Sequence, residues 1–367
     1  MPVNARCLEE QPIKLTIMRK IIMLSFLCLP FLKVSAQENL TVNVHPGIEL
    51  FTIVQLLGDQ FPDPNPSTYS KEVMDYFGKY KNHPAVAKVK SFGKVYSDLT
   101  ELGYTMSDFP DIKIYQPLDL SWYTKYGKEN VLEYLKLCKD FAKDSKFWAF
   151  YKVHEASYTK WGTAIREGVA KSGTMEQLQK FYGAKGTAKW NICIDPLNSW
   201  GSHAITTKTL NPAFSNVIAY NTGYFNTKST EKDEPNFEYQ GFDYLVWHEG
   251  SHIFLDPYFT KYKKEIDDMA YLYNKEDEGM KRNGIGSWEY CLNENVVRAV
   301  VGDMFRNYRT ERQFKRQVAK ETGSDFIYVE DIVPFISENY GQGKKYTKFD
   351  ELFPAMLAML KEKHPKQ

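Results

Sequence analysis

Two histidines and a glutamate in the run Trp247-His248-Glu249-Gly250-Ser251-His252 carry the clearest chemistry in the chain. On a helix, residues four apart share a face, so the imidazoles of His248 and His252 can converge on a single Zn²⁺ ion at about 2.0–2.1 Å. Glu249 is offset by one position and is not a ligand in this pattern. It reaches a water polarised by the metal, which suits a general base. Leu245, Val246, Trp247, Ile253, Phe254 and Leu255 make the helix apolar almost all round. Such a helix is expected to be buried, and its imidazoles and carboxylate then need a strong partner, which a divalent metal supplies. Pro257 is expected to close the helix just after His252.

A catalytic zinc takes three protein ligands and keeps one position open. Glu294 is the best candidate for the third. It sits in the middle of an apolar-periodic helix that begins near Trp288, forty-two residues past His252. Glu289, Asp268 and Asp256 remain as rivals, and an i,i+4 ion pair with Arg298 is the other reading of Glu294. The H-x-x-G-x-x-H continuation of metzincins is absent, because Leu255 and Tyr258 stand where Gly and His would be.

The H-E-x-x-H helix together with Asn293-Glu294 resembles the gluzincins, the thermolysin-like zinc metallopeptidases whose third ligand is a Glu in an Asn-Glu context. The resemblance implies metal ligands His248, His252 and Glu294, catalytic Glu249, one zinc ion and a peptide or protein substrate. Two departures stand out. The spacer is longer than in those peptidases, so an inserted helix is expected over Lys261 to Met280. Arg298 also stands where their sequences place an Asp that orients a histidine. Over a wider stretch, from His45-Pro-Gly-Ile-Glu-Leu50 to Glu294-x-x-x-Arg298-Ala299, the chain resembles a family of secreted bacterial proteins with a domain of unknown function. That likeness implies a zincin-type fold and names no substrate.

The rest of the chain must position this motif. From Pro66 to Gly183 the pattern is helical, over Tyr69 to Tyr80, Glu129 to Ala142, Phe147 to Lys171 and Thr174 to Gly183. Short β-like runs follow at Trp190–Asp195, His203–Thr207 and Ser215–Tyr220, and helical pattern returns beyond Pro235. The expected fold is α+β, mainly helical, with a small antiparallel sheet beside the zincin-like active-site helix. The division reads as upstream residues and signal peptide over 1–36, a helical lobe over 37–185 and a catalytic lobe over 186–367. Ser215–Tyr220 is the expected edge strand for an extended peptide.

Met18-Arg19-Lys20, the apolar run Ile21–Leu32 and Val34-Ser35-Ala36 read as a secretory signal, with Met18 as initiator and Gln37 as the first mature residue. Export to the periplasm or medium follows, with no stable membrane span after cleavage. The full chain has 367 residues with 47 basic and 46 acidic side chains. Loss of residues 1–36 leaves 42 and 44, a balance that offers nothing to nucleic acid. Cys138, Cys193 and Cys291 then remain, too few and too dispersed for a disulfide framework.

The remaining candidates are weaker. His203, Tyr220, Tyr224 and Tyr290 lie near the motif in sequence and are possible hydrogen-bond donors to an oxyanion. His154 with Glu155 fits a solvated helix face, and His45, His83 and His364 carry no metal pattern. The 25 Tyr and 23 Phe point to an aromatic core before an aromatic groove. The sequence therefore supports an exported zinc hydrolase, most simply a peptidase. The rivals are a zinc hydrolase of a non-peptide substrate and a noncatalytic glycan- or protein-binding protein on a degenerate zincin fold.

Overall fold

Leu40–Asn43 forms a strand, β1, and Pro46–Leu57 a helix, α1, whose residues after Pro46 are all buried. Pro46 pre-sets the first turn. His45 caps it, its Nδ1 accepting from the backbone N–H groups of Gly47 (3.2 Å) and Ile48 (3.4 Å). The computed structural model describes residues 40–61, 67–95, 98–184, 189–198, 201–205, 210–211, 216–221, 242–274 and 277–366. The expected signal peptide lies outside them.

Helices α2 (Thr68–Phe77), α3 (Pro84–Ser91) and α4 (Lys128–Asp144) pack on α1, with a hairpin of β2 (Met106–Ser107) and β3 (Lys113–Ile114) between α3 and α4. Helix α5 (Phe147–Ser172) packs across β1, and α6 (Thr174–Phe181) follows it. Strands β4 (Trp190–Asp195), β5 (His203–Ile205) and β6 (Val217–Asn221) come next. The C-terminal part holds α7 (Phe242–Lys261), α8 (Lys263–Asp267), α9 (Glu278–Arg282) and α10 (Trp288–Tyr308). Helices α11 (Glu311–Thr322), α12 (Val329–Asn339) and α13 (Phe349–Lys363) complete it.

The mainly helical α+β class holds, but the sheet is not an antiparallel meander. Its order is β1-β4-β6-β5, with β1 and β6 both parallel to β4 and only β5 antiparallel. Parallel neighbours need long crossovers, and the one from β1 to β4 contains α1 to α6. A local pattern of short strands cannot show that. The edge strands are consequently β1 and β5, and the expected edge run near Ser215–Tyr220 lies inside the sheet. Residues on both sides of position 185 share this sheet and one core, so the chain from Leu40 onward is one compact unit and the lobes have no boundary there.

Two helix expectations are corrected as well. Helix α7 runs through Pro257 to Lys261. Proline removes one N–H, but the buried Leu255 and Phe259 on either side keep the helix packed. The segment Lys261 to Met280 is not one helix, since α8 ends at Asp267 and α9 begins at Glu278. Aromatic residues fill the core, with Phe51, Phe77, Tyr134, Phe141, Phe147 and Phe150 buried. The three cysteines described are buried and unpaired.

Close approach explains one glycine pair. A Cβ on Gly47 would lie 1.9 Å from the carbonyl oxygen of Gly103, so α1 can meet that segment only as glycine. Gly47→Ala should therefore cost about 3 kcal/mol, seen as a lower midpoint in urea unfolding. Gly168→Ala, exposed on α5 with nothing near its Cβ, should instead be neutral or stabilising.

Where α1 meets the end of β4 lie two buried carboxyl groups, Glu49 and Asp195. Glu49 accepts from the Tyr69 hydroxyl (2.5 Å) and Asp195 from that of Thr52 (3.2 Å); neither has an ion-pair partner among the described residues. Burial pushes Glu49 up to about 8 and Asp195 up to about 7, from ordinary values of 4.5 and 3.8. The folded chain thus keeps protons that the unfolded chain releases, and this stability is lost as pH rises through 7 to 8. The thermal midpoint should fall from pH 6 to 9, and the fall should flatten in a Glu49→Gln/Asp195→Asn double variant. A wild-type midpoint that rises over this range would contradict the assignment.

Candidate metal centre

Helix α7 presents its motif because both its flanks are fixed. Asp243 accepts from the Thr174 hydroxyl (2.6 Å) and pairs with Arg309, and the Trp247 indole N–H donates to the Thr174 carbonyl (3.2 Å). Gly250 lets α6 approach, since a Cβ there would lie 2.3 Å from Leu178 Cδ2. Residues 245–251 are all buried. Helix α10 packs along α7 and is buried on most of its circumference, which puts Glu294 opposite the two histidines.

The three expected ligands converge. Glu294 Oε2 lies 3.6 Å from His248 Nε2, and its Oε1 lies 3.4 Å from His252 Nε2. One ligand atom from each residue falls within 4.8 Å of the others, so the group can hold a metal ion. Ligands about 2.0–2.1 Å from a tetrahedral ion stand roughly 3.3 Å apart, close to these separations. The donor set, two imidazoles and a carboxylate, therefore suits a metal ion. Among the rivals, Glu289 pairs with Lys263 (3.3 Å) and Asp268 with Lys264 (2.8 Å) on the surface. Asp256 lines the same cavity one turn beyond His252, outside the ligand group.

Orientation comes from groups that the motif does not contain. The Nδ1 of His252 lies 2.6 Å from Asn293 Oδ1, which fixes a proton on Nδ1 and leaves Nε2 as the free lone pair. Among the described residues His248 has no such partner at its buried Nδ1; the ring of Tyr244 stacks on it with centroids 5.3 Å apart. Burial, then the charges of His252 and Arg298, hold His248 well below the usual histidine range. It is a neutral imidazole, the form that binds metal.

Arg298 sits behind Glu294. Its guanidinium donates to Glu294 Oε2 (3.0 Å), the Tyr244 hydroxyl (2.9 Å) and the buried Glu321 (2.6 Å), and it stacks 3.8 Å over Phe326. The ion pair with Arg298 is therefore present, and it holds the same carboxylate toward the histidines rather than competing with that role.

Glu249 points elsewhere. It lies outside the ligand group. Burial and then the charge of Glu294 hold it well above the usual carboxylate range, against the opposing pull of the Ala204 backbone N–H on β5. The cavity in front measures about 360 Å³, and His203, Tyr290 and Asn283 also line it.

A family model described as Domain of unknown function (DUF4932) matches residues 40–359. The chain belongs to that family. No curated protein and no solved structure matches it.

Within the DUF4932 domain, the other sequence candidates separate cleanly. His203 and Tyr290 reach the cavity, Tyr290 one turn before Glu294. Tyr224, and the side chain of Tyr220, lie outside the described residues. His154 pairs with Glu72 (2.8 Å), His83 caps α3, and His364 meets Asp331 (2.7 Å). Asn293, Tyr244 and Ala204 were not legible as parts of the centre; only the Asn293-Glu294 dipeptide pointed that way. Asn293→Ala should weaken metal binding about 10–100-fold with little change in unfolding midpoint of the metal-free DUF4932 protein. Competition titration with a chromogenic chelator reads that change, and unaltered affinity would remove Asn293 from the centre.

Proposed function

We propose that the chain is a zinc-dependent hydrolase that cleaves peptide bonds. The observation that carries this reading is the division of labour on one helix. His248 and His252 face Glu294, while Glu249, one position on, stays out of the ligand set and opens into the same cavity. Two imidazoles and a carboxylate suit zinc, and a purely structural site has no need of a second, non-ligating carboxylate. When bound, the ion would act as a Lewis acid toward a water and the scissile carbonyl.

The protein groups supply the rest. Glu249 takes a proton at its carboxylate from the attacking water and passes it to the leaving nitrogen. Its burial suits that task, because a carboxylate with a raised pKa is a stronger base once ionised. The backbone N–H of Ala204 favours the ionised form of this carboxylate. Tyr290, whose hydroxyl burial keeps protonated, and His203 are the cavity groups available to donate to a developing oxyanion. The outer strand β5 lies along this cavity, and an extended peptide beside a sheet edge is the substrate geometry it supports. The leader-like run over 18–36 supports action outside the cytoplasm, on a peptide or protein substrate.

Glu249→Gln keeps the size of the side chain and removes its basicity. The variant should retain one zinc per chain and its melting temperature, while turnover of a mixed peptide library falls about 10²–10⁴-fold. Loss of zinc in this variant would make Glu249 a ligand. Undiminished turnover would sink its role as base, and a zinc-loaded wild type inert toward every peptide would sink the peptidase reading.

A further inference from the structure

A second cavity, of about 690 Å³, lies between the β2–β3 loop and the corner joining α4 to α5 and is unexplained by the metal centre. It shares no residue with the metal centre. Its floor is apolar: Ile112, Ala142 and Phe147 are buried there, and Phe109 stacks on Trp148 with ring centroids 5.7 Å apart. Its rim carries three exposed lysines, Lys139 and Lys143 one turn apart on α4 and Lys146 at the corner. No side-chain hydrogen bond or ion pair engages any of the three among the described residues. Asp111 and Asp140 share the rim, so the lining charges sum to one positive.

A cavity of this volume with an apolar floor and a few polar groups at its mouth has the form of a small-molecule site. The net single positive charge selects a single negative one; a polyanion would meet the two aspartates. We propose that this cavity binds a small organic monoanion with an apolar body, a carboxylate or sulfonate class of ligand. The apolar body covers the floor, and the acid group lies among Lys139, Lys143 and Lys146. This site is independent of the hydrolase reading.

The test uses the whole chain and two fluorescent probes of similar shape: anilinonaphthalene sulfonate, a monoanion, and uncharged phenylnaphthylamine. Both should bind at one saturable site. The triple variant Lys139→Gln/Lys143→Gln/Lys146→Gln should weaken the sulfonate roughly tenfold, as three exposed charge contacts predict, and leave the amine within about twofold. Ala149→Phe, at an exposed lining position, fills the cavity and should weaken both probes. Sulfonate affinity unchanged in the lysine variant would overturn the charge assignment. Unchanged affinity of both probes in Ala149→Phe would place them elsewhere and overturn the site. Melting curves of each variant, with zinc stoichiometry, confirm that the fold and the metal centre are intact.

Discussion

The carboxylate of Glu294 is buried between two imidazoles on one side and a guanidinium on the other, and much of the C-terminal half exists to keep it there. An ionised carboxylate in an apolar interior is costly unless it is paired and hydrogen-bonded. Arg298 meets part of that need, yet Arg298 is itself enclosed and must be held by Glu321, Tyr244 and the face of Phe326. Helices α7, α10 and α11 are thereby tied through one chain of charges. A divalent ion facing His248, His252 and the inner side of Glu294 would complete the balance.

The sheet has a narrower task. Its mixed topology leaves β5 on the outside, beside α7, where the N–H of Ala204 favours the ionised form of Glu249. An antiparallel meander would have put a different strand at that edge. The same helix thus contributes ligands toward α10 and a free carboxylate toward the sheet, and two different neighbours keep those roles apart. Neither neighbour is local in sequence.

Buried carboxyl groups also lie away from the metal centre. Glu49 on α1 and Asp195 at the end of β4 have no cation beside them among the described residues, and burial favours their protonated forms. The open rim lysines of the second cavity are solvated and cost nothing in the folded state; their arrangement over an apolar floor is what distinguishes them. The three features answer to different probes: metal, pH and an organic anion.

The spacing of His248, Glu249 and His252 by itself determined which side chains share a face, because a helix of 3.6 residues per turn puts the histidines together and the glutamate off to one side. The apolar surround of that helix determined its burial, and the helical spans from Tyr69 to Gly183 followed from their periodicity. Glu294 was legible as a candidate only; its approach to both imidazoles depends on how α10 packs on α7, which no local pattern encodes. The fully buried α1 carries no amphipathic period, and β1 gains its identity only by pairing with β4 some 150 residues later. The course of α7 through Pro257, the parallel strands and the Asn293 contact to His252 were likewise decided by tertiary packing. In each case the deciding partner comes from a distant part of the chain, so the energy that selects the structure appears only once the two segments meet.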